Sequence, residues 1–124
     1  MNTIAWLMLA AALLPYVAAL ASKAGGKGFD NDDPRPWLAR QEGWRARANS
    51  AQANLFEGLP FFYATVLFAL YREVDPDFLA MLVTAWLVAR AAYLAVYIAG
   101  YGTVRSLLWV VALGLAIAIL FSGL

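Results

Sequence analysis

Four long apolar runs constrain the fold of this chain more than any other feature of its sequence. They lie in predicted spans at about residues 4–21, 45–72, 78–100 and 104–121, each long enough for a helix across a bilayer core of about 30 Å. The second span begins with a polar segment that runs without a break into its apolar part. Only 14% of the residues are charged and 64% are hydrophobic, so little of the chain is left for a soluble domain. The sequence predicts an all-α integral membrane protein, a single domain folded as an antiparallel bundle of four transmembrane helices.

The first apolar run occupies the position of a secretory signal sequence but lacks its other features. No basic segment precedes Ile4, and residues 22–26 match a cleavage site poorly. We therefore expect a retained first helix, bent at Pro15.

Residues 23–44 form the one long polar loop of the sequence. Prolines 34 and 36 favour turns, and a short interfacial helix is predicted at residues 37–42, with Trp37 and Trp44 at the level of the lipid headgroups. Basic residues cluster in this loop and at the start of the second helix, and Arg105 follows the Tyr101 turn. The positive-inside rule places the loop and the Tyr101 turn in the cytoplasm and both termini outside an inner or cytoplasmic membrane.

Residues at the predicted helix ends have the chemistry of caps and breaks. Asp75 suits an N-cap and Pro76 the first helical position. Thr103 is predicted to cap the fourth helix, and Pro60 is predicted to bend the second helix because it removes the donor to the Phe56 carbonyl.

Two charged residues lie away from the ends of the predicted spans, Glu57 in the second and Arg90 in the third. Counted from the cytoplasmic ends, they lie about 14 Å and about 16 Å deep. Buried charges are costly without partners. The matching depths therefore predict a structural ion pair between Glu57 and Arg90.

Further polar residues follow helical spacing on the same two helices. Arg47 and Asn54 share a stripe that Glu57 flanks, and Tyr93 and Tyr97 share a stripe with Arg90. These stripes would form a polar wall that suits an anionic head group. Simpler interpretations stay open: interhelical hydrogen bonding for Asn54, interfacial aromatics for the tyrosines and a snorkelling role for Arg47.

The composition narrows the chemistry that such a wall can perform. The chain has no cysteine and no histidine, which argues against disulfides, thiol catalysis, histidine acid–base chemistry and a metal site. The net charge of +1 gives no general attraction to nucleic acid.

The polar positions resemble those of a known family. Arg47-x3-Ala51-x2-Asn54-x2-Glu57-x2-Pro60 is similar to the second-helix pattern of the membrane-associated proteins in eicosanoid and glutathione metabolism (MAPEG). Arg90-x2-Tyr93-x3-Tyr97 followed by Arg105 is similar to that family's third helix and the start of its fourth. The resemblance covers essentially the whole chain and suggests a bacterial member like the microsomal glutathione transferases. One position departs from the pattern, since Ser50 stands where glutathione-using members usually carry an arginine.

The resemblance implies a homotrimer with sites between adjacent subunits and glutathione as cosubstrate. Arg105 would stabilise the glutathione thiolate, and the contacts to glutathione would come from Arg47, Asn54, Glu57, Tyr93 and Tyr97. The implied function is a glutathione transferase or peroxidase-like enzyme acting on hydrophobic electrophiles that arrive through the membrane lipids. The alternative is a non-catalytic lipid-binding or scaffold member of the same fold. A small multidrug transporter is disfavoured because the first span carries no charge.

Overall fold

The computed structural model describes residues 2–124 as a bundle of six helices. The helices are α1 (Asn2–Lys23), α2 (Pro34–Ala39), α3 (Trp44–Glu57), α4 (Leu59–Tyr71), α5 (Pro76–Ala99) and α6 (Gly102–Phe121). Four segments are long and apolar enough to cross a membrane, namely α1, α3 with α4, α5, and α6. The prediction of four membrane-spanning helices is confirmed.

The second span is interrupted at Gly58, which separates α3 from α4. Pro60 cannot donate a hydrogen bond to the carbonyl four residues earlier, so the helix is weakened at this point. We predicted a bend at Pro60 within one helix, whereas the interruption lies two residues earlier. α3 packs on α1 and α5, while α4 packs mainly on α6. The interruption thus lets the two halves of one span contact different neighbours.

Two apolar clusters form the core, one on each side of a polar layer. The larger cluster joins α1, α4, α5 and α6, and within it the Phe62 and Trp86 rings stack with centroids 3.6 Å apart. The smaller cluster joins α1, α3 and α5 around Leu55 and Tyr93. Arg90 lies on α5 between the two clusters, so the polar layer is held by apolar packing above and below.

The start of α5 forms as the sequence predicts. The Asp75 carboxylate accepts a hydrogen bond from the Phe78 N–H at 3.2 Å, and Pro76 is the first helical residue. The prediction for Thr103 is wrong. α6 already begins at Gly102, with Tyr101 as an N-cap that makes no side-chain hydrogen bond, and this places Thr103 inside the first helical turn.

Replacing Asp75 with alanine is expected to lower the free energy of unfolding by about 1 kcal/mol, because an otherwise unpaired N–H loses its acceptor. Thermal unfolding in detergent measures the change. Asp77→Ala is the control, since this residue lies in the same first turn but makes no cap hydrogen bond. Equal losses in the two variants would contradict a specific cap.

The first loop is anchored by Trp37, which was predicted to lie at the level of the lipid headgroups. Trp37 is buried, its Nε1 donates to the Lys27 carbonyl at 3.0 Å, and its ring meets Phe29 edge-on. It packs so closely on Gly26 that a Cβ there would lie 2.4 Å from the indole. Trp37 therefore organises the loop and is not a headgroup anchor, whereas Trp44 is exposed.

Candidate functional site

A cleft opens along α5, between α3 on one side and α6 on the other. Both helices pack against α5, but they share almost no contact with each other. The cleft contains two adjoining cavities, one near the Tyr101 end of the bundle and one nearer the middle of the spans. Asn54, Glu57 and Trp109 line both of them.

The outer of these, called here the mouth cavity, has a volume of about 420 Å³. The Arg105 guanidinium lies over the Tyr97 ring, 4.5 Å from its centroid, and Tyr97 meets Tyr93 edge-on. The walls of the mouth cavity are formed by Ser50, Ala53, Asn54, Glu57, Tyr93, Tyr97, Arg105, Ser106, Trp109 and Val110. The mouth cavity is therefore polar and carries a positive charge held on an aromatic face.

The second, called here the inner cavity, has a volume of about 380 Å³. Its walls are formed by Asn54, Glu57, Gly58, Phe61, Trp86, Arg90, Trp109, Ala112, Leu113 and Ala116. Three aromatic side chains and three aliphatic ones supply most of this lining, and the charged side chains in it are those of Glu57 and Arg90.

Arg90 is paired differently from the prediction. It is only 3% exposed, and its two terminal nitrogens donate to the Asn54 side-chain oxygen at 3.1 Å and to the Asn54 carbonyl at 2.9 Å. Glu57 is not among its hydrogen-bond partners and is exposed on the single chain. The reason is geometric: Asn54 lies one turn before Glu57 on α3 and presents both oxygens to α5.

Gly58 allows this approach. A Cβ at Gly58 would lie 3.0 Å from an Arg90 terminal nitrogen, closer than most side chains tolerate. The glycine that marks the helix interruption therefore also makes room for the guanidinium.

Arg47 lies just beyond the mouth cavity. Its Nε donates to the Ile98 carbonyl at 2.9 Å, near the end of α5, where carbonyls lack helical partners. Arg47 lines a neighbouring cavity of about 280 Å³ together with Tyr97, Tyr101 and Arg105. It thus joins α3 to the end of α5 and stays next to the cleft.

Five of the six residues assigned to the site from the sequence line the mouth cavity, and Arg47 lies next to it. α6 contributes residues beyond Arg105 that were not among the predicted site residues. Trp109, Ala112 and Ala116 continue the face of Arg105 at helical spacing, so periodicity along α6 would have revealed them. Within residues 2–124, no cluster of three or more His, Cys, Asp or Glu is placed to hold a metal ion.

Comparison with known proteins gives one result that covers the chain. The family model described as the MAPEG family matches residues 3–124. No match was found among curated proteins or among solved structures. The matched range includes all four spans and every residue of the cleft. The chain is thus a multi-pass membrane protein that belongs to the MAPEG family.

Proposed function

We propose that this protein is a membrane-bound glutathione transferase or peroxidase-like enzyme that conjugates or reduces lipophilic electrophiles with glutathione. The observation that carries this proposal is the mouth cavity, which gathers Asn54, Glu57, Tyr93, Tyr97 and Arg105 from three helices. Membership of the MAPEG family, a family of the glutathione-transferase and eicosanoid-metabolism type, supports the same function.

The charges of the site complement those of glutathione. The tripeptide carries two carboxylates, one ammonium group and a thiol. Arg47 and Arg105 offer cations at the mouth of the cleft, and the exposed Glu57 carboxylate offers an anion deeper in it. A guanidinium next to the sulfur favours the thiolate, which is the attacking species. Arg105 is assigned this role because its charge faces the cavity and is not bonded to a backbone carbonyl as Arg47 is.

We further propose that the protein acts as a homotrimer with its cleft between adjacent subunits. The exposed Glu57 supports this arrangement, because a carboxylate that meets lipid in the middle of a span is costly. A second copy lying over the cleft would shield it. The basic first loop and the Tyr101 turn are assigned to the cytoplasm, where glutathione would enter the mouth cavity.

Glutathione binding tests this function directly. We expect calorimetry on the detergent-solubilised assembly to show saturable heat at millimolar glutathione, with thiolate absorbance appearing near neutral pH. Light scattering on the same sample gives the subunit number. A protein that is folded and assembled but shows no heat and no thiolate would contradict the proposal.

The apolar lining of the inner cavity favours a second candidate, a non-catalytic lipid-binding or scaffold protein. Ser50 at the mouth, in a position where a further cation would help to bind glutathione, points the same way. This candidate predicts a co-purifying lipid in the cleft, detectable by native mass spectrometry. It also predicts that glutathione in excess does not displace the lipid.

A further inference from the structure

The two cavities of the cleft each carry an arginine, Arg105 in the mouth cavity and Arg90 in the inner cavity, and the proposed function gives Arg90 no role. Arg105 stacks on Tyr97 in the mouth cavity. Arg90 lines the inner cavity and lies seven residues before Tyr97 on α5. Seven residues correspond to about 10 Å along a helix. The cleft is therefore built with a cation at each of two levels.

Arg90 is an unusual group to find in an apolar cavity. It is buried, it is held by the neutral Asn54, and its Nε has no hydrogen-bond partner. No carboxylate is hydrogen-bonded to it, and Glu57, the other charged residue of this cavity, is assigned above to glutathione as the complement of its ammonium group. A cation at a site of low dielectric acts strongly on any negative charge that forms nearby.

The side chains that this chain contributes to the inner cavity suit a compact, flat molecule. Trp86, Trp109 and Phe61 supply aromatic walls, and the small residues Ala112 and Ala116 leave the space open. A cavity of about 150 Å³ holds one benzene ring. The inner cavity, at about 380 Å³, therefore accommodates about two ring-sized groups, whereas a long acyl chain would have to extend beyond it.

We propose, building on the glutathione chemistry proposed above, that the inner cavity binds the second substrate and that this substrate is a compact aryl enone. An aryl enone is an α,β-unsaturated ketone conjugated to an aromatic ring. The aromatic ring of the substrate packs against the aromatic walls of the inner cavity. Its β-carbon faces the mouth cavity, and its carbonyl oxygen faces the Arg90 guanidinium.

The reaction that follows is a conjugate addition. Glutathione first loses its thiol proton to water. Its sulfur then forms a bond to the β-carbon, the π electrons of the C=C bond shift toward the carbonyl, and negative charge develops on the carbonyl oxygen. The resulting enolate takes one proton from water at the α-carbon, and no group leaves.

The separation of the two charges selects this class of electrophile. In an enone the oxygen that receives negative charge is three bonds from the attacked carbon, so Arg105 acts on the sulfur while Arg90 acts on the oxygen. In an epoxide the attacked carbon is itself bonded to the oxygen, and the negative charge forms on that oxygen as the C–O bond breaks. When an epoxide reacts at the mouth cavity, its oxygen therefore stays farther from Arg90, and Arg90 stabilises the developing negative charge less.

The test compares benzylideneacetone, an aryl enone, with styrene oxide, an aryl epoxide of similar size. In Ala116→Leu a larger side chain fills the inner cavity, and we expect kcat/KM for the enone to fall about tenfold or more. Ala118→Leu introduces the same change two residues away on an exposed face of α6 and should stay within about twofold of the native protein. The thiolate absorbance of bound glutathione should be unchanged in both variants.

Arg90→Met tests the charge. Enone turnover should fall about tenfold more than styrene oxide turnover, whereas a purely structural role would lower both equally. Quenching of tryptophan fluorescence by benzylideneacetone provides a binding readout independent of turnover. It should weaken in Ala116→Leu, which keeps the test decisive even if Arg90→Met does not fold.

The outcomes separate the two proposals. A native protein that forms no thiolate overturns the glutathione function and this assignment with it. Normal thiolate formation, combined with enone binding and turnover that Ala116→Leu leaves unchanged, overturns the substrate assignment alone.

Discussion

Replacing Arg105 with alanine is expected to lower kcat/KM for glutathione conjugation by about 100-fold or more at neutral pH. The guanidinium lies on the Tyr97 ring in the mouth cavity, where it would stabilise the thiolate. Without it, glutathione should ionise near the ordinary thiol pKa of about 8.5. The thiolate absorbance at pH 7 should disappear in the variant.

The pH profile distinguishes this role from a structural one. The rate of Arg105→Ala should rise as the pH approaches about 9, because hydroxide then forms the thiolate that the guanidinium no longer favours. The native protein should change little over the same range. Arg105→Lys keeps the charge and should lose less activity than Arg105→Ala. Arg40→Ala, in the exposed part of the first loop, is the control and should match the native protein.

A low rate in Arg105→Ala that does not recover at high pH would mean that Arg105 holds the cavity in shape without acting on the thiol. Unchanged thiolate formation and turnover would remove Arg105 from the site altogether.

Replacing Asn54 with leucine is expected to lower the free energy of unfolding by about 2 to 3 kcal/mol, because one nitrogen of a buried guanidinium loses its acceptor. Arg90 donates to the Asn54 side chain and to the Asn54 carbonyl, and leucine keeps only the second of these acceptors. Arg90→Met should lower the free energy of unfolding by less, about 1 kcal/mol. The unpaired group it leaves is then a neutral amide that lines two cavities.

The double variant Asn54→Leu with Arg90→Met measures the coupling between the two side chains. Removing the buried cation also removes its need for a partner, so the double variant should be more stable than Asn54→Leu alone. A coupling energy of about 2 kcal/mol is expected, larger than the loss from Arg90→Met alone. Unfolding in mixed detergent provides the free energies. Additive losses would show that the two side chains stabilise the bundle independently.

The number of membrane spans and their helical class follow directly from the sequence. Four runs of sufficient length and hydrophobicity give four spans, because a backbone in lipid must satisfy its own hydrogen bonds and a helix does so within one segment. The cap at Asp75 follows equally well, since it depends on residues adjacent in the chain.

Residues with several candidate partners are harder to place from the sequence. Tryptophan is typical of membrane interfaces, yet Trp37 is buried because the loop folds back and the Lys27 carbonyl accepts its Nε1–H hydrogen bond. α6 begins two residues earlier than predicted, with Tyr101 in place of Thr103 as the N-cap and Gly102 as the first helical residue.

In the candidate site, too, the helix positions of the polar residues were predictable from the sequence, whereas their pairing was not. Helical spacing placed Asn54, Glu57 and Arg90 on facing stripes, and all three line the inner cavity. Matching depth then favoured Glu57 as the partner of Arg90, whereas the structure pairs Arg90 with Asn54. Depth along the bundle can be counted from the sequence, but the rotation of one helix about its axis cannot.

The sequence by itself therefore determined the four spans, the family and the set of polar residues that the spans carry to one end of the bundle. Only the tertiary structure decided which of those residues meet. The interruption at Gly58 turns α4 onto α6 while α3 stays on α1 and α5, and this opens the cleft between α3 and α6. The physical reason is that hydrophobicity and helical period are properties of one segment of the chain. The hydrogen bond from Arg90 to Asn54 joins residues 36 positions apart, and it depends on how all the helices pack together.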